Sequence, residues 1–144
     1  MSRLLGRDQG FRFFHNDRSL QRAFGSATAM ASARNPERAQ GTDSFDLLIA
    51  VIDARPVARL LRQLGLEPSS LVRDATAARI PIDGPGLTTD ARRVVEAVSH
   101  RSLERRRNAT PIDLFVALAV TPGPARDMLI GLGLDERRLA ELVA

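Results

Sequence analysis

Few side chains in this sequence are equipped for covalent or acid–base chemistry. Ser99 and His100 come nearest to a nucleophile with its base, but they are neighbours in sequence. On a helix, adjacent residues point about 100° apart, so the two cannot pair with each other. No Gly-x-Ser-x-Gly elbow presents a serine. His15 and His100 are the only histidines and lack the i, i+4 pairing that holds a metal ion. All 21 basic residues are arginine. Without lysine there is no P-loop and no Schiff-base chemistry. The absence of cysteine removes thiol nucleophiles, disulfides and cysteine-ligated metals, and it leaves the redox compartment open. The expectation is a non-enzymatic protein with no cofactor and no metal.

What the sequence offers instead is charge and helix-capping chemistry. With 17 acidic residues the net charge is +4, a modest excess spread over the chain. Arg101, Arg105, Arg106 and Arg107 fall together where a helix should end. There they would complement the negative end of the helix dipole and be solvated. The alternative is a basic helical regulatory domain that contacts nucleic acid or an acidic partner through this arginine surface. No recognition helix with base-reading Asn, Gln and Arg follows, which argues against specific DNA reading.

The elements that would position these groups read as helices throughout. Leu20, Ala23, Phe24, Ala27 and Ala31 follow the i, i+3, i+4, i+7 spacing of one helical face, with Asp17 placed to cap and Asn35-Pro36 to stop. Asp46 to Ile52 is apolar nearly all round, as a central buried helix would be. Residues 56–64 form a third helix closed by Gly65, and a fourth starts near Pro68 with Leu71, Val72 and Ala75 inward. The Pro- and Gly-rich stretch 80–86 reads as a linker.

After it the series recurs. Thr88 caps a helix with Ala91, Val94, Val95 and Val98 on one face, and Thr110-Pro111 opens a second resembling Asp46 to Ile52. Pro124 to Leu132 gives a third, whose Leu132-Gly133-Leu134-Asp135 turn matches Leu64-Gly65-Leu66-Glu67. Leu139, Leu142 and Val143 give a fourth. The offset is 71 residues in the first helix and 67 in the second, which reads as an internal duplication. At the second helix of each copy, Asp43 and Thr110 take equivalent N-cap positions, with Asp46 and Asp113 three residues later. That spacing predicts paired capping boxes rather than catalytic carboxylates.

Leu87 to Val95, Thr110 to Leu118 and Leu129 to Asp135 carry a resemblance to the Clp N-terminal (Clp repeat) domain, with a weaker match at Asp43 to Ile52 and Leu60 to Leu66. The resemblance covers roughly residues 16–144. It implies an all-α domain of two tandem four-helix repeats with pseudo-twofold symmetry: an extension 1–15, repeats at 16–79 and 87–144, and the linker 80–86 between them. Such domains sit ahead of the ATPase rings of Clp-type unfoldases and recognise clients, adaptors or peptide-like ligands. A chain with no lysine for a nucleotide site is then expected to bind without unfolding, as a free-standing adaptor, decoy or ligand-sequestering partner.

The site implied is the junction of the repeats, at Asn16, Asp17, Leu87 and Thr88 beside the first helices and Phe45, Asp46, Ile112 and Asp113 in the second. In ClpC-type domains a Glu in each repeat helps hold phosphoarginine. Phe45 and Ile112 occupy those positions here, and Asp46 and Asp113 occupy those of the following His. A guanidinium loses its partner when that carboxylate is absent. Thr88 matches the family threonine, whereas Asp17, its counterpart, would repel a phosphate. The expected ligands are therefore proteins, apolar peptides or a peptide-like small molecule. The segment Arg3 to Phe14 holds three of the six Phe. It covers a groove of its own domain, hangs as a tail or docks on another protein, since an exposed aromatic cluster is unusual on a monomer. With no signal peptide and no apolar run near the roughly 20 residues that span a bilayer, the expected location is cytoplasmic, without membrane contact.

Overall fold

The computed structural model describes residues 16–34, 41–78, 86–134 and 136–143. The extension 1–15, most of the linker 80–86 and the Asn35-Pro36 stop lie outside the described residues. Within them the chain is all-α, with eight helices: α1 (Arg18–Arg34), α2 (Ser44–Ile52), α3 (Arg55–Gln63), α4 (Pro68–Ala78), α5 (Thr89–Arg105), α6 (Pro111–Val120), α7 (Pro124–Gly131) and α8 (Glu136–Val143). No single helix among them is long and apolar enough to cross a membrane.

The apolar helices α2 and α6 occupy the centre and touch each other. Helices α1 and α4 pack on α2, while α5, α7 and α8 pack on α6. Four further contacts cross over, α1 and α3 with α6 and α5 and α7 with α2. Leu47, Leu48, Leu114, Phe115 and Leu118 are essentially inaccessible to solvent. Each such side chain stabilises the fold by about 1.5–3 kcal/mol relative to leaving it in water.

Local chemistry sets the helix ends. Gly65 (φ 81°) and Gly133 (φ 94°) close α3 and α7 in the left-handed conformation. Around them the same hydrogen bonds recur: Leu66 N–H to Leu61 O at 2.8 Å, and Leu134 N–H to Leu129 O at 3.0 Å. This is the Schellman arrangement, which satisfies carbonyls the helix leaves free. At the other end, Asp17 Oδ1 accepts from Leu20 N–H at 2.8 Å and so caps α1.

Two isolated parallel bridges tie the halves together. Asn16, ahead of α1, pairs with Ala109, ahead of α6, and Thr42, ahead of α2, pairs with Leu87, ahead of α5. Asp17 N–H donates to Ala109 O at 2.8 Å, and Thr88 N–H donates to Thr42 O at 3.0 Å.

Candidate functional site

The two bridges bring the helix starts together as two junctions. In the first, α6 is capped by Thr110, whose Oγ1 accepts from Asp113 N–H at 3.4 Å, while Asp113 Oδ2 takes Thr110 N–H at 2.9 Å. The capping box is complete, and Asn16 and Asp17 run alongside through the bridge to Ala109. Asp113 is only 1% exposed and holds two arginines as well. Arg101 Nε lies 2.8 Å from its Oδ1, and Arg107 donates at 3.2 and 3.3 Å.

The arginine run is therefore not a uniform solvated helix end. Two of its four members are bound to the buried Asp113 carboxylate, and Arg105 and Arg106 stay exposed. The turn that delivers Arg107 passes through Arg106 in the left-handed region (φ 53°). Ser102, buried on α5, donates its hydroxyl to Arg107 O, and Arg107 N–H returns to Ser102 O at 3.2 Å.

In the second junction, Asp43 caps α2. Asp46 N–H donates to Asp43 Oδ1 at 2.8 Å, and Asp43 N–H to Asp46 Oδ2 at 3.1 Å, closing the second capping box. Leu87 and Thr88 lie alongside through the bridge to Thr42, and Thr88 accepts from Ala91 N–H to cap α5. Asp90 then links the two helix starts. It takes both the hydroxyl and the N–H of Ser44, the first residue of α2, and the hydroxyl of Thr88. Burial pushes the Asp90 carboxyl up, but hydrogen bonds from Ser44, Thr88 and Ala91 outweigh it and hold the group below its ordinary range. The expected 71- and 67-residue offsets place Ser19 and Pro111 where this junction has Asp90 and Ser44. Proline has no N–H to donate, so the two junctions carry different chemistry.

The eight residues expected from sequence thus divide between the two junctions, and most of their polar atoms are engaged within the fold. Asp17 and Thr88 are caps, and Asp46 and Asp113 are buried box partners. Asn16 and Leu87 sit in the bridges. Phe45 is 7% exposed within the core, and Ile112 is half-buried against it. Arg126 Nε apart, every buried side-chain nitrogen or oxygen described has a partner. Ser99 is exposed, and His100 makes only a surface i, i+4 contact with Glu104 at 3.9 Å. No group of three or more His or carboxylate side chains is placed for a metal among the described residues.

Open space lies elsewhere, alongside α1 and α5. Beside α1, overlapping cavities of about 370 and 630 Å³ share Ser26, Ala50, Asp53 and Arg55. Beside α5, a cavity of about 600 Å³ is lined by Arg93, Ala97, Arg101, Val116 and Val120 among others. Sequence reasoning passed over both grooves, and Asp90 as well. The only available signal for the first groove was the Arg55, Arg59, Arg62 spacing. Compared with known proteins, the chain matches no protein-family model and no curated protein.

Proposed function

We propose that α1–α4 and α5–α8 are two tandem four-helix repeats related by a pseudo-twofold axis, and that they form a Clp N-terminal-type recognition domain. The domain is non-enzymatic. It binds proteins or peptides in the cytoplasm and serves a Clp protease system as adaptor, decoy or ligand-sequestering partner.

One observation carries this reading. Asn16 and Leu87 stand 71 residues apart, and Thr42 and Ala109 stand 67 apart, the same offsets that align the first and second helices of the two sequence copies. Applied to the Asn16–Ala109 bridge, they generate the Leu87–Thr42 bridge, including its N–H to carbonyl hydrogen bond. A true twofold exchange has this property, and spacing within one copy could not produce it. The paired capping boxes and glycine turns add support of the same kind.

Affinity purification of the full chain from its source cells tests the assignment. Recovery of a Clp ATPase, its adaptors or its clients is the expected result. Recovery of nucleic acid alone, with affinity falling steeply as salt rises, would refute it. Because Phe45 and Ile112 supply no carboxylate to a guanidinium, free phosphoarginine should bind weakly, and tight binding in a titration would overturn that ligand preference.

A further inference from the structure

Helix α3 carries its arginines on one side. Arg55, Arg59 and Arg62 stand at i, i+4 and i+7, all exposed, on the helix whose Val57, Leu60 and Leu61 are buried. Arg55 lines the cavity beside α1 together with Arg22, and Arg55, Arg59 and Arg62 line a further space of about 600 Å³ that continues it. Among the described residues, none of these four guanidiniums makes an ion pair or side-chain hydrogen bond. The part of the groove against α4 has an apolar lining of Met30, Ile49 and Val72, with Asp53 as its one acid among the described residues.

The fold does not require this charge. In the groove beside α5, Arg93 and Arg101 are balanced by Glu96 and Glu104, and Arg101 is already bound to Asp113. At the 68-residue offset of the glycine turns, Arg55, Arg59 and Arg62 correspond to Gly123, Asp127 and Ile130. The stripe belongs to one half only.

We propose that this groove docks an acidic amphipathic peptide segment of a partner protein. Its aliphatic side chains would lie on Met30, Ile49 and Val72, and its carboxylates would meet Arg22, Arg55, Arg59 and Arg62. Carboxylates repeated at i, i+4 on a partner helix recur every ~6 Å, matching the rise between Arg55 and Arg59. Each guanidinium offers a two-pronged fit to a carboxylate. Nucleic acid suits the groove less well. Among the described residues its lining offers no aromatic face for base stacking, and Asp53 would oppose a phosphate backbone. This inference stands apart from the Clp-type reading, because it uses a different surface and needs no repeat.

The test is fluorescence anisotropy on the full chain with a labelled helical peptide of about 18 residues, leucines along one stripe and glutamates flanking it. Controls are its scrambled form, its Glu→Lys form and an oligothymidine. The acidic peptide should bind, the scrambled form about tenfold more weakly and the lysine form not at all. Arg59→Glu with Arg62→Glu should weaken binding at least about tenfold, and the milder Arg59→Ala with Arg62→Ala about threefold. Arg93→Glu should leave it unchanged. Circular dichroism checks folding, and amide shifts should map to α3 and α4. Unchanged affinity in both arginine double variants, shifts confined to the Thr88 and Thr110 junctions, or binding of oligothymidine alone would each overturn the proposal.

Discussion

Replacing Asp113 by alanine should cost the protein about 3 kcal/mol. The carboxylate does two jobs, and each has a separate magnitude. As the reciprocal partner of Thr110 it completes the cap of α6, worth about 1 kcal/mol. As the acceptor for Arg101 and Arg107 it neutralises two guanidiniums that are only partly able to hydrate, with side chains 21% and 41% exposed. Stranding a fully buried charge costs about 3–5 kcal/mol, and partial hydration of these arginines brings that to about 2 kcal/mol. Urea unfolding at neutral pH reads the sum as a lowered midpoint, and thermal unfolding as a fall of roughly 6–12 °C for a chain of this size. Asp113→Asn keeps an acceptor for the cap and should lose about 2 kcal/mol, the share that belongs to the arginines. Arg107→Ala should cost stability in the native background and almost nothing after Asp113→Ala, since the pair would already be broken. The deficit should survive high salt, which screens buried pairs little. A loss under about 1 kcal/mol for Asp113→Ala would refute the reasoning and reduce the cluster to an ordinary surface ion pair.

Three further outcomes follow from the geometry. Asp90 has its folded-state pKa depressed below the ordinary carboxyl value of 3.8, so its stabilisation is complete above that value and is lost as pH falls through the lower, folded-state value. Urea midpoints measured from neutral to strongly acidic pH should therefore fall less steeply below about pH 4 in Asp90→Asn than in the native chain. Glycine substitutions should split in sign. Gly25, mid-α1 with open space at its Cβ, gains about 0.5–1 kcal/mol as alanine, whereas Gly133, at φ +94°, loses about 1 kcal/mol, both read from thermal midpoints. Arg106→Gly relieves a left-handed side-chain conformation (φ 53°) and should raise stability by about 0.5–1 kcal/mol in the same measurement.

The helices were legible because their signals are local. Asp17, Thr88 and Thr110 act within three residues of themselves, and the turn at Gly65 closes within five. The second helix begins at Ser44, directly after the expected cap Asp43, while α3 starts and ends one residue early and α7 ends one residue early, ordinary ambiguity at frayed ends. What escaped was set by distance along the chain. Arg101 reaches Asp113 only because the Arg106 turn folds α5 back beside α6. Asp90 reaches Ser44 across 46 residues. Phe45, expected at a surface junction, turns into the core because the apolar α2 is buried nearly all round. A helical period says which side of a helix is apolar, but not which neighbour will cover it.

The two bridges also bear on what a severed chain would do. Each joins a strand-like segment of one half to a segment of the other, and neither half supplies both partners. Fragments 16–78 and 86–143 would each be left with the central apolar faces of α2 or α6 uncovered and two lead-in segments without a mate. Folding of the separated pieces becomes an association, so their stability should rise with concentration while that of the intact chain does not. The covalent connection between Ala78 and Gly86 thus supplies a local concentration of one half for the other, a role that depends on its reach rather than on its sequence.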